Sequence, residues 1–385
     1  MDMKIVYLLK SFANKAGTER VISDKINYLA EKGYDITLVT YEQGNHPEAF
    51  FLHPSVRHLD LNTRFFTVLQ APVYKRPSLL YQLRKQFCVR LQKMLDEIMP
   101  DIMICTTYSY NLLDVILTIR TRAYKIVESH VACFSIKKSF EYRHLPIVRK
   151  LMTLYDSYMM SRLNKCDKLI VLTEGDAIEW RKHLSHVEVI PNPVTFYPLQ
   201  VLPHDGTGRR IISVGRLHEQ KGFDLLIQAF ALISDKCPEW CLHIYGSGND
   251  EKKLNELIEK YQLETRIRIL APTSSIYEEY QRSEFLVVSS RYEGFGLVLL
   301  EAMSCGIPCV SFRCKYGPED ILSDGEDGLL VTDGQVNELA EKMLWMMMHT
   351  DERLLMGEKA RETVKNYQIE SIMMRWVSLF ESLQK

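Results

Sequence analysis

Two cations, Arg216 and Lys221, stand five residues apart in Gly215-Arg-Leu-His-Glu-Gln-Lys-Gly222, directly after the apolar run Ile211–Val214. At the end of a strand, a planar guanidinium beside a point-charge ammonium suits a diphosphate. Further along, Phe285-Leu-Val-Val288 reads as a buried strand and opens onto Glu293-Gly294-Phe295-Gly296, followed by Leu297 and Val298. Helical character runs from Leu297 to Ser304 and stops at Gly306-Ile-Pro308. The first N–H groups of such a helix lack internal partners and carry the positive dipole end, so a phosphate docks there. Glu293 and Glu301 bracket this turn with seven residues between them. A carboxylate one turn past a phosphate accepts from ribose hydroxyls, and one before the glycines reaches the sugar beyond. A strand–Gly–helix turn alone is ordinary α/β packing; the second constellation, with cations that suit a diphosphate, shifts the reading toward a functional site.

The elements that position these residues repeat one logic. Strands are expected at Lys4–Leu9, Asp35–Thr40, Val56–Leu59, Ile102–Thr106, Lys125–Glu128 and Cys166–Leu172. A second series falls at 210–214, 241–245, 267–270, 285–289, 309–312 and 328–331. Strands alternating with amphipathic helices predict an α/β chain of two doubly wound, Rossmann-like halves. The first strand leads through a polar loop, Ser11 to Glu19, in which Gly17 lets backbone approach a ligand closely. Glu128-Ser129-His130 sits at a strand's C-terminal end, where sites of such sheets lie. The Pro-rich run through Pro198 and Pro203 reads as an interdomain linker. Tyr245-Gly-Ser-Gly248 lacks the third glycine of a dinucleotide fingerprint, which argues against a nicotinamide enzyme.

The chain has 385 residues, enough for two domains, and no apolar run long enough to span a membrane. Met1–Lys10 reads as a first strand rather than a secretory signal. Nine scattered cysteines, with Cys237/Cys241 and Cys305/Cys309 four apart, suit reduced thiols in a cytoplasmic protein and no metal site. Residues 1–195 carry 27 Lys and Arg against 20 Asp and Glu, whereas residues 196–385 carry 21 against 29. Between Arg64 and Leu95 there are seven cations, ending at Lys93, and no acid, with aromatic and aliphatic residues interleaved. A second basic stretch holds Lys137, Lys138, Arg143, Arg149 and Lys150. Basic amphipathic segments predict peripheral contact with an anionic membrane at its inner face. Nothing in the motifs suggests nucleic acid.

Gly-Arg-x4-Lys-Gly followed by Glu-Gly-Phe-Gly with Glu-x7-Glu resembles the retaining nucleotide-sugar glycosyltransferases of family GT4, over nearly the whole chain. The resemblance implies the GT-B fold, two Rossmann-like domains facing each other across a cleft: 1–195 for the acceptor, 208–365 for the donor, and 366–385 as a helix crossing back to the first domain. It implies that His130 faces the transferred sugar and that Glu293 binds a donor-sugar hydroxyl. Arg216, Lys221 and the N–H groups of Gly296, Leu297 and Val298 would neutralise the diphosphate without a metal or other cofactor, and Glu301 would hold the ribose. The family's Gly-Gly near the donor phosphate is Ala16-Gly17 here, so only Gly17 carries over. Tyr316-Gly317-Pro318-Glu-Asp-Ile321 resembles an element of the polysaccharide-assembly branch. The expected partners are a nucleotide sugar, UDP favoured over GDP, and a glycan or lipid-linked saccharide acceptor. A glucan synthase, a sugar-nucleotide epimerase and a non-catalytic nucleotide-sugar sensor are the competing expectations.

Overall fold

A computed structural model describes residues 3–137, 144–198 and 206–384. Two compact units emerge: Met1–Ile190 with Met373–Lys385, and Pro191–Ile372. The second basic stretch falls partly, at Lys138 and Arg143, outside the described residues, as does the expected linker beyond Pro198.

Unit 1 is a seven-stranded parallel sheet in the order β3-β2-β1-β4-β5-β6-β7. Its strands are β1 (Lys4–Leu9), β2 (Asp35–Thr40), β3 (Arg57–Asp60), β4 (Ile102–Thr106), β5 (Tyr124–Glu128), β6 (Lys168–Val171) and β7 (Val187–Val189). The last was not expected as a strand: three residues are too short to show alternation, and it is defined by pairing with β6. Unit 2 is a six-stranded parallel sheet, β10-β9-β8-β11-β12-β13. Its strands are β8 (Arg210–Val214), β9 (Cys241–Tyr245), β10 (Ile267–Leu270), β11 (Phe285–Val288), β12 (Cys309–Phe312) and β13 (Gly328–Val331). Strands β4, β11, β12 and β13 are buried at every residue, because helices cover both faces of a parallel sheet. That is why they read as unbroken apolar runs. In each sheet the strand order reverses once, between β1 and β4 and between β8 and β11, and loops diverge there to leave a crevice.

Among the helices are α1 (Gly17–Glu31), α2 (Arg76–Ile98), α3 (Leu113–Thr118), α4 (Pro146–Leu163), α5 (Ile276–Gln281), α6 (Leu297–Ser304) and α7 (Ile369–Leu383). From Met373 onward α7 belongs to unit 1, where Phe380 meets Tyr34 edge to face and Arg375 donates to the Val189 carbonyl. Among the described residues no helix is long and apolar enough to cross a membrane. All nine cysteines are free, with only Cys88 exposed.

Candidate active site

In unit 2 the two sequence constellations meet at the switch point, because β8 and β11 are neighbours. Backbone contact joins their loops. Gly222 has φ +62°, and a Cβ there would lie 2.0 Å from the Ser289 carbonyl oxygen. Only glycine allows that approach. Ser289 Oγ donates to the Lys221 carbonyl at 3.0 Å, Gln220 Nε2 donates to the Tyr292 carbonyl at 3.0 Å, and Arg291 N donates to the Gln220 carbonyl at 2.8 Å.

The result is a half-buried charge pair. Lys221 Nζ stands 2.6 Å from Glu293 Oε1, which also accepts from Ser290 Oγ at 2.6 Å. Glu293 is 6% exposed. Its backbone is held from the other side: Glu293 N donates to the Lys315 carbonyl and Tyr316 N to the Glu293 carbonyl. Gly317, φ +114°, lets its own backbone approach the Phe295 carbonyl so closely that a Cβ would overlap it. The Gly-Pro element thus braces the Glu293 turn. Arg216 is exposed and reaches Gln220 Oε1 at 3.4 Å, so its guanidinium is not spent on a buried partner.

Gly296, φ +103°, is the residue before α6, and Leu299 N already donates to its carbonyl. Phe295 is buried, while Gly294, Leu297 and Val298 are half-buried. Glu301, one turn into α6, accepts from Tyr280 Oη of α5 at 3.0 Å. Burial and the Glu301 charge hold the Tyr280 phenol well above its ordinary pKa, so it stays a donor.

Gly17 and His130 belong to unit 1. The structure corrects the loop expected through Glu19: α1 begins at Gly17, after Ala16 in extended backbone. Gly17 is therefore a helix-start residue, and Arg20 N already donates to Ala16 O at 3.1 Å. His130 follows β5 and is buried, with Nε2 3.0 Å from Glu128 Oε2. Glu128 in turn accepts from Lys25 Nζ at 2.5 Å. Burial alone would raise the Glu128 carboxyl, but Lys25 and His130 bring it down to about 2.

Several partners escaped the sequence reading. Ser290, Gln220 and Tyr280 carry no spacing signal. Lys25 did carry one: it falls on the apolar stripe Val21, Ile22, Ile26 and Leu29, a lysine where the pattern calls for a core residue. Among the described residues, no three His, Cys, Asp or Glu side chains are grouped as metal ligands.

Unit 2 thus gathers a basic pair and two carboxylates at one switch point of a parallel α/β sheet, the position where such sheets bind ligands. Residues 16–196 match Glycosyltransferase Family 4, and residues 199–363 match the glycosyl transferases group 1. An uncharacterized glycosyltransferase of Haemophilus influenzae is 27% identical, covering 97% of this chain and 98% of that one. The amylovoran biosynthesis glycosyltransferase AmsD of Erwinia amylovora is 27% identical at the same coverage, 97% and 98%. A solved structure of an S. aureus TarM variant in complex with fondaparinux, alpha-GlcNAc-glycerol and UDP superimposes with a TM-score of 0.76 at 18% identity, covering 98% of this chain and 100% of that one. The protein belongs to the GT4 glycosyltransferases, and its fold is GT-B.

Proposed function

We propose that the protein is a retaining, metal-independent glycosyltransferase. It moves a sugar from a nucleoside-diphosphate sugar, UDP favoured over GDP, to a glycan or lipid-linked saccharide during surface polysaccharide synthesis. The Lys221–Glu293 pair is the observation that carries the reading. Breaking the sugar–phosphate bond leaves negative charge on the diphosphate and positive charge at the anomeric carbon. A cation and a carboxylate 2.6 Å apart suit the two sides of that bond. Arg216 and the first N–H groups of α6 add to the phosphate side, and Glu301, oriented by Tyr280, suits the ribose hydroxyls. The polysaccharide role is supported by AmsD and the UDP preference by the UDP held in TarM.

The acceptor side favours a lipid-linked substrate reached from the membrane surface. On α4, Ile147, Leu151, Leu154 and Tyr158 form one helical stripe and are 81%, 59%, 70% and 43% exposed. Arg149 and Lys150 stand exposed beside it. Val73 and Tyr74 just before α2, and Tyr81 in its second turn, are exposed as well, with Lys75 and Lys85 nearby. Exposed apolar side chains among exposed cations fit an anionic lipid surface at the inner face of the cytoplasmic membrane.

A thermal-shift screen with UDP, GDP, ADP and their sugar conjugates tests the donor reading, with and without Mg²⁺. UDP at 100 times its dissociation constant stabilises by about 2.7 kcal/mol. The expected result is a shift with UDP that needs no metal and is lost in Arg216→Ala. No shift with any nucleotide would overturn it, and conversion of donor without acceptor would make the protein an epimerase.

A further inference from the structure

Unit 1 buries an ionic cluster that the diphosphate chemistry does not use. Lys25 is 1% exposed and Glu128 is 2% exposed. The indole of Trp376, from α7, lies under the Lys25 ammonium with its centroid 4.4 Å from Nζ. Tyr7 of β1 is close enough that the Glu128 charge, after burial, pushes its phenol well above the ordinary range. The cluster is polar yet incomplete. Among the described residues, Glu128 Oε1, Tyr7 Oη, Trp376 Nε1 and both ring nitrogens of His130 are buried without an aligned hydrogen bond. Nε2 is near Glu128 Oε2 but off the line of a bond. Buried polar atoms are nearly always paired, and several partnerless ones in one place call for a functional role or a bound water or ion. Catalytic hydrogen bonds commonly align only when substrate arrives.

We propose that Lys25 and Glu128 are positioning residues that hold His130 as the hydroxyl-binding group for the transferred sugar. The proposal rests on the reading of His130 as a sugar contact. Glu128 Oε2, 3.0 Å from Nε2, is the acceptor for Nε2–H once the ring turns into line, and that leaves Nδ1 with its lone pair as the nitrogen presented to a sugar hydroxyl. Lys25 shares the same oxygen and balances the carboxylate, so Glu128 accepts without taking the proton. Trp376 shields the ammonium from water, which gives the returning helix a part in the site.

The test uses the full chain and compares His130→Ala, Glu128→Gln, the charge-free pair Lys25→Met/Glu128→Gln, and each combined with His130→Ala. Removing both charges keeps the comparison possible where Glu128→Gln alone fails to fold, because a buried ion pair tolerates joint neutralisation better than loss of one partner. Turnover with UDP-sugar and acceptor is measured beside the UDP thermal shift. Expected are a ten- to hundredfold loss of turnover in Glu128→Gln and in the charge-free pair. The UDP shift should be unchanged, and no further loss should appear when His130→Ala is added. If His130→Ala is slow while both Glu128 variants turn over normally, the positioning role is wrong and the His130 reading stands. Losses that add to that of His130→Ala would likewise overturn it, since a merely structural role adds. Normal turnover of His130→Ala would remove the His130 reading and the proposal with it.

Discussion

Gly222→Ala should separate the two loops that make the donor site. The ideal Cβ falls 2.0 Å from the Ser289 carbonyl oxygen, at φ +62°. Non-bonded carbon and oxygen need more than about 3 Å, so the loops must part by about 1 Å. Left-handed backbone at alanine costs about 1–2 kcal/mol, and forced repacking adds about 1–3 kcal/mol. Lys221 is the preceding residue and its 2.6 Å contact to Glu293 spans the same gap. A misplacement of about 1 Å costs roughly 100-fold in rate. Gly334→Ala is the control, since Gly334 has φ +71° with nothing within 4 Å of a Cβ and bears only the backbone term. At about 2–4 °C per kcal/mol, Gly222→Ala should melt several degrees below Gly334→Ala. It should lose about two orders of magnitude in kcat/KM, while Gly334→Ala stays near wild type in activity. Melting curves and initial rates on the two purified variants decide it. Equal melting temperatures and equal turnover would refute the claim that this backbone contact sets the site.

Glu293→Ala, Arg216→Ala and Lys221→Ala should each lower turnover several hundredfold, about 3–4 kcal/mol for a lost charge-stabilising group; near-normal rates in all three folded variants would remove the site assignment. Burial, opposed by Arg20, raises the Asp24 carboxyl to about 6, above its unfolded value, so ionising it costs stability as pH rises through 6. Asp24→Asn should therefore melt higher than wild type at pH 8, with the two converging near pH 4; a gap that does not change with pH would contradict this. Glu128 behaves oppositely: its folded value near 2 lies below the unfolded one, so its contribution is full above about pH 4.3 and is lost as pH falls toward 2. The charge-free pair Lys25→Met/Glu128→Gln should show a flatter acid limb in a denaturant-melt series, and an unchanged limb would count against a buried ionised Glu128. Leu151→Glu with Leu154→Glu should weaken sedimentation with phosphatidylglycerol vesicles at least tenfold, and wild-type binding that ignores both salt and these changes would exclude the proposed membrane face.

Most of the architecture was legible because parallel strands covered on both faces are short apolar runs bounded by glycine and proline, and Phe285–Val288 or Cys309–Phe312 can be little else. The strand β7 was not legible, since a three-residue strand exists through its pairing and not through its pattern. The start of α1 was misplaced because Gly17 and Thr18 carry neither an apolar period nor a capping side chain; Ala16 precedes the helix with no side-chain bond at all. In the site, the charged residues announced themselves by type and spacing, and their partners did not. Ser290 and Tyr280 are ordinary residues until the fold sets them against Glu293 and Glu301.

The sequence by itself determined the two parallel α/β halves, the cations after β8 and the glutamates around the glycine turn after β11. Each of these is local: a strand, a loop and the first turn of a helix encode it within a few residues. Tertiary structure alone decided that Lys221 and Glu293 are one ion pair, because β8 and β11 lie side by side only where the strand order reverses. It alone decided that Lys25, apparently one polar residue on an apolar stripe, meets Glu128 across a sequence gap of 103 residues under the indole of Trp376. Charge placed in a core is stable only beside its counter-charge, and which counter-charge that is depends on packing between elements rather than on the order of the residues within them.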